Sequence, residues 1–234
     1  MRNLLFFLGF TFLILSIACE SHKKEDQSNE PSSKETTKSS IQQENLEKSK
    51  PKDSINKKNA VAFLNIYGKQ NKESKVLLKT RLGNITIQLY DDTPLHRASF
   101  IFLTKMGYFN TTCFYRVVPD FIIQGGESER LDTQRYKARY RRYKIPPEFR
   151  NNRKHDYGAV ALARDWKNNP NKNSTAFEFY IVQNRQGAHH LDGEHTVFGK
   201  VISGFETIDK IVNLEAGSDE WPLDDVFMNI EVID

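Results

Sequence analysis

The chain has 234 residues, a net charge of +4, 27% charged residues and a hydrophobic share of 38%. Those values exclude the dense one-sided charge of a dedicated nucleic-acid binder, and the apolar residues are spread so unevenly that only the C-terminal two-thirds can bury a core. The two cysteines, Cys19 and Cys113, lie in unrelated contexts, so neither a disulfide between them nor a cysteine zinc site is expected.

After Met1-Arg2-Asn3, an uncharged apolar run from Leu4 to Leu15 leads through Ser16-Ile17-Ala18 to Cys19. A membrane-spanning helix needs about 20 apolar residues, so this run is too short and reads as a secretory signal, residues 1–18. Small residues directly before a cysteine resemble the lipobox of bacterial lipoproteins. The resemblance implies a bacterial source, cleavage before Cys19, lipid attached to that cysteine, and a domain anchored at a membrane of the cell envelope. The pattern departs from the lipobox in one place, with Leu15 one position too early and Ser16 standing where leucine is usual.

Residues 19–72 are mostly Ser, Lys, Glu, Gln and Asn, too polar to offset the entropy of ordering, and are expected to form a disordered tether. About 50 such residues have a root-mean-square reach of about 40 Å. Within them AVAFLNIY, 60–67, is apolar enough for a short helix or an extra strand.

From 73 to 234 the pattern is that of one folded domain. Lys75–Thr80 and Ile85–Tyr90 alternate as strands around Leu82-Gly83-Asn84, with Ile85, Ile87 and Leu89 on one buried face. Asp91-Asp92-Thr93-Pro94 supplies a cap and a first-turn proline for a helix to Lys105, closed by Gly107. Strand segments follow at Cys113–Val118, Phe121–Gln124, Ala159–Ala163, Phe177–Val182, Thr196–Val201 and Phe227–Ile233, with a second helix over Gly204–Leu214. A mainly β fold with about eight short strands and two helices predicts a closed antiparallel barrel capped at its ends by the helices.

The segment Cys113 to Gly126 spaces Arg116, Ile122 and Gln124 by even numbers, so all three share a face if the strand continues through Pro119. An arginine in a strand is, on residue type alone, a surface cation or an ion-pair member. The run Phe114-Tyr115-Arg116-Val117-Val118-Pro119-Asp120-Phe121-Ile122-Ile123-Gln124-Gly125-Gly126 nevertheless closely resembles the signature of the cyclophilin family. Gly158-Ala159-Val160-Ala161-Leu162-Ala163-Arg164, Ser174-Thr175-Ala176-Phe177-Glu178-Phe179-Tyr180-Ile181 and His190-Leu191-Asp192-Gly193-Glu194-His195-Thr196-Val197-Phe198-Gly199 are similar to three further family motifs, in the family's order.

The resemblance implies an eight-stranded barrel and cofactor-free peptidyl-prolyl cis/trans isomerase activity. It assigns Arg116 as the catalytic cation. Phe121, Ile122, Tyr180, Leu191 and His195 correspond to the proline pocket, and Gln124, Ala163 and Arg164 to residues that hold the peptide backbone. Expected partners are proline-containing peptides and unfolded exported proteins, with no nucleic acid and a monomeric domain. Glu178 replaces the family's usual Gln, and its carboxylate is expected near Arg116, either orienting the guanidinium or neutralising it. The second outcome would leave a proline-peptide binding or chaperone module with weak or no turnover. His190 occupies the position of a tryptophan associated in the family with cyclosporin, which predicts weak sensitivity to that drug. His189, His190 and His195 straddle a tight turn, a spacing that disfavours a metal site. The basic, tyrosine-rich stretch Arg130–Lys144 is expected to form a solvated flap beside the groove.

Overall fold

A computed structural model describes residues 55–234; the signal, Cys19 and most of the tether lie outside them. Sequence alternation builds the first hairpin as expected, β1 (Lys75–Thr80) against β2 (Gly83–Leu89), with Ile85, Ile87 and Leu89 at most 2% exposed. The reversal falls one step earlier than the Gly-Asn pair suggested. Arg81 and Leu82 form the turn, and Thr80 Oγ1 braces it by donating to the Gly83 carbonyl at 2.9 Å.

Helix α2 (Pro94–Lys105) follows α1 (Ala60–Gln70), the apolar segment embedded in the expected tether. Ala60, Leu64 and Gly68 form the buried stripe of α1, and a Cβ at Gly68 would stand 3.0 Å from Ala98, so glycine lets the two helices touch. Phe63 and Tyr67 meet Phe102 edge-on at 5.2 and 5.4 Å. The start of α2 differs from expectation. The Thr93 side chain makes no cap; the Leu95 and His96 amides donate instead to the Glu148 carboxylate at 3.1 and 2.9 Å. A carboxylate 52 residues away does the same electrostatic work, at a separation no local cap rule can see.

Next come β3 (Cys113–Val118) and β4 (Ile122–Glu127), α3 (Leu131–Arg139), β5 (Lys144–Ile145), β6 (Ala159–Leu162), β7 (Ser174–Thr175), β8 (Phe179–Val182), β9 (Val197–Ser203), α4 (Phe205–Val212), β10 (Val226–Phe227) and β11 (Asn229–Val232). The main sheet runs β10-β3-β4-β8-β6-β9-β2-β1-β11 and every pairing is antiparallel. β10 and β11 are two pieces of one strand interrupted at Met228. The first pairs with β3 and the second with β1, which closes the sheet into a barrel. Counted that way the nine segments are the expected eight strands. Phe100, Phe109, Phe114, Phe179 and Phe198, all at most 1% exposed, fill the interior with tilted and edge-on ring contacts.

The described residues contain four α-helices, not two. One of the additional two is α1, the helix allowed for at 60–67; the other, α3, was not expected and occupies the stretch read as a solvated flap. Thr133, Lys137 and Tyr140 form its buried side while Arg135 and Arg139 face water. Polar and charged residues on the inner face hid that amphipathicity from the sequence. Among the described residues no helix is long and apolar enough to cross a membrane.

Candidate active site

β3 does not run on through Pro119. The chain reverses there, with Asp120 in the left-handed region at φ 56°, and β4 returns alongside. Arg116 and Gln124 are cross-strand partners, so their shared face comes from pairing across a hairpin rather than from spacing along one strand. The register shifts between Phe114 and Arg116, a bulge at Tyr115 that brings Tyr115 and Arg116 to the same groove wall.

A groove of about 520 Å³ lies on the barrel's outer face, lined by Tyr115, Arg116, Phe121, Ile122, Gln124, Ala163, Arg164, Trp166, Tyr180, His190, Leu191 and His195. Ten of these were expected from the motifs; Glu178 is the expected residue that does not line it. Ile122, Tyr180, Leu191 and His195 form a buried floor, set by the pairing of β4, β8 and β6 and by the short 3-10 turn His189–Leu191. His190 stacks on Phe121 at 5.3 Å and closes one end.

The polar groups are individually held. His195 Nδ1 donates to the Leu162 carbonyl at 3.2 Å, and burial pushes its pKa down to about 4, so the ring is neutral near pH 7 and packs edge-on to Tyr180 at 5.5 Å. The Tyr180 hydroxyl does not reach water. It donates to His155 Nε2 at 2.9 Å, and His155 Nδ1 donates to Asp192 at 2.8 Å. Burial holds His155 below its usual range against the opposing pull of Asp192, consistent with a neutral ring able to accept the tyrosine proton. Since Asp192 also accepts from the His155 amide at 2.9 Å, this chain ties the pocket floor to the turn carrying His190 and Leu191.

Arg164 does not offer its guanidinium to the groove. Nε and Nη2 are bonded to the Glu194 carbonyl and carboxylate at 2.8 and 2.6 Å, and the plane lies over exposed Trp166 at 4.1 Å. Arg164 still lines the groove, but Glu178 is a correction to the expectation. Its carboxylate accepts from the Tyr115 hydroxyl at 3.0 Å and from buried Lys137 of α3 at 3.3 Å, not from Arg116. Tyr115 in turn accepts from the Gln124 amide, which fixes that amide's rotation. Lys137 is therefore why a carboxylate stands at this position: the inward cation of α3 is met by Glu127 and Glu178.

The partner of Arg116 is Glu220, whose carboxylate accepts from Nε at 2.5 Å. The guanidinium is one-third exposed, its carbon 6.0 Å from the Phe121 ring centroid, and neither Nη bonds another described residue. Among the described residues no three His, Cys, Asp or Glu side chains are grouped as metal ligands; His189 turns to Asp156 and Asp192, His190 to Phe121 and His195 to Leu162.

Sequence reasoning missed Tyr115 and Trp166 in the lining and His155, Asp192 and Glu220 behind it. Tyr115 and Trp166 sat beside assigned residues and could have been read. Glu220 lies 104 residues from Arg116, and nothing local announced it.

The chain thus presents an antiparallel barrel with a cation at the wall of an apolar-floored groove on its outer face, and comparison with known proteins gives the class to which it belongs. The family model for cyclophilin-type peptidyl-prolyl cis-trans isomerases matches residues 75–232. The chain is 33% identical over 159 residues to the Rhizopus delemar peptidyl-prolyl cis-trans isomerase-like 2, covering 67% of this chain and 28% of that protein. It is 36% identical over 141 residues to a peptidyl-prolyl cis-trans isomerase of Acinetobacter baylyi, covering 59% and 72%. A crystal structure of a Cryptosporidium parvum cyclophilin, in the presence of the dipeptide Ala-Pro, superposes with a TM-score of 0.56 at 25% identity, over 68% of this chain and 99% of that one. The chain belongs to the cyclophilin-type peptidyl-prolyl cis-trans isomerase family.

Proposed function

We propose that the chain accelerates rotation about X-Pro bonds in exported proteins, from a lipid-anchored position in a bacterial cell envelope. The observation that carries the isomerase reading is the Arg116 guanidinium, its Nη groups bonded to no other described residue, at the wall of a groove floored by Ile122, Tyr180, Leu191 and His195. Rotation of a peptide bond faces about 18–20 kcal/mol because conjugation is lost, and the twisted prolyl nitrogen regains a lone pair. A cation aimed at that nitrogen stabilises the twisted geometry more than either planar one. Ile122, Leu191, Tyr180 and Phe121 grip the ring, while Gln124 and the backbone of Ala163 and Arg164 hold the chain on one side as the other turns.

The envelope location rests on the sequence alone, on Leu4–Leu15 and the small residues before Cys19. Metabolic labelling with a radioactive fatty acid tests it, and label retained by Cys19→Ser would sink the anchor. A protease-coupled assay with an X-Pro peptide tests the activity, in which Arg116→Ala must lose turnover. Cyclosporin should inhibit weakly, because His190 on Phe121 replaces the larger indole; tight block in a titration would overturn that.

A further inference from the structure

Glu220 is presented to Arg116 by a hydrogen-bonded turn over residues 216–222. Ala216 and Pro222 bridge in antiparallel fashion, the Gly217 amide donates to the Trp221 carbonyl at 2.8 Å, and the Glu220 amide donates to the Gly217 carbonyl at 3.0 Å. Glu220 itself sits at φ 66°, a left-handed conformation that a non-glycine residue adopts only where its surroundings hold it there. Its carbonyl accepts from the Val117 amide at 2.9 Å, and the neighbouring Trp221 ring packs 5.5 Å from Tyr115. Backbone and side chain of one residue thus bracket Arg116, the first gripping β3 at the next residue and the second gripping Nε. An ordinary surface ion pair has no such scaffold.

We propose that Glu220 is a positioning residue that anchors the Arg116 Nε and so aims its two Nη groups into the groove. The inference rests on the reading of Arg116 as the catalytic cation. An unanchored arginine spreads over many rotamers, and fixing Nε removes most of that freedom before substrate arrives. The carboxylate does not neutralise the catalytic charge. It meets the guanidinium at one nitrogen only, is itself 43% exposed, and has its field damped by water.

The test is X-Pro isomerisation by the full chain carrying Glu220→Ala, Glu220→Gln, Glu220→Asp, Arg116→Ala and the Arg116→Ala/Glu220→Ala pair. Glu220→Ala should lower kcat about 5–10-fold with KM within about twofold, the signature of lost orientation rather than lost binding. Glu220→Gln keeps an acceptor oxygen and should recover to within about threefold, while the paired variant falls no lower than Arg116→Ala. The Arg116 Nε–H resonance should be slow to exchange in the wild type and fast in Glu220→Ala. If Glu220→Ala does not fold, Glu220→Asp decides: it keeps the charge but withdraws the carboxylate by one methylene, so reduced kcat supports positioning and unchanged kcat overturns it. Loss in Arg116→Ala with wild-type or higher turnover in Glu220→Ala sinks this inference alone. Wild-type turnover in Arg116→Ala sinks the catalytic reading and this inference with it.

Discussion

The two walls of the groove are built on different principles. The pocket side is an extension of the barrel: Ile122, Tyr180, Leu191 and Val182 pack on Ala159 and Ala161 in a satellite cluster with almost no exposed atom. The cation side is a rim, where Arg116 and Glu220 are each one-third exposed or more and their mutual geometry depends on single contacts from a distant turn. Shape is thus secured by packing that many residues share, and charge placement by bonds that one substitution removes. Damage to the first wall should appear mainly in stability and substrate affinity, and damage to the second mainly in turnover.

The largest expected effect lies on the rim. Arg116→Ala should lower kcat/KM by about 10²–10³-fold with its melting temperature unchanged, as expected for removal of one charge-stabilising group; a fall of several degrees would erase the contrast between the walls. Ile122→Ala should do the reverse, costing about 2–4 kcal/mol in urea unfolding and raising KM more than it lowers kcat. Tyr180→Phe sharpens the comparison inside the pocket, because it leaves His155 Nε2 buried without its donor and should cost about 1–2 kcal/mol.

A further effect is one of pH. His96, His155 and His195 are all held below the ordinary imidazole range, chiefly by burial. Their contribution is complete above the unfolded value of about 6.5. Below it the unfolded chain takes up protons that the folded chain refuses, so stability falls as pH drops toward about 4, where His195 titrates. Melting curves at pH 7.5, 6 and 5 should step downward, and a flat series would contradict the burial of these rings.

Much of this was legible from residue order. Alternation located the β1–β2 hairpin, the first-turn proline located α2, and the four motifs pointed to ten of the groove-lining residues. The rest failed for identifiable reasons. Lys137 on the inner face of α3 reads as solvent-facing until Glu127 and Glu178 are seen to meet it. The α2 cap, the Tyr180–His155–Asp192 chain and the Glu220 anchor join side chains dozens of residues apart, and local pattern rules carry no information about them. Glu178 shows the same limit from the other side: the substitution was visible, but its partner was not.

The split strand at Met228 has a consequence for how this molecule comes into being. Residues 226–232 are the stave that joins β3 to β1, so the barrel cannot close until synthesis has passed about 140 residues beyond its first hairpin. Until then both flanking strands expose open edges and the interior phenylalanines lack a wall. The interior is complete only once that one stave has docked on both edges.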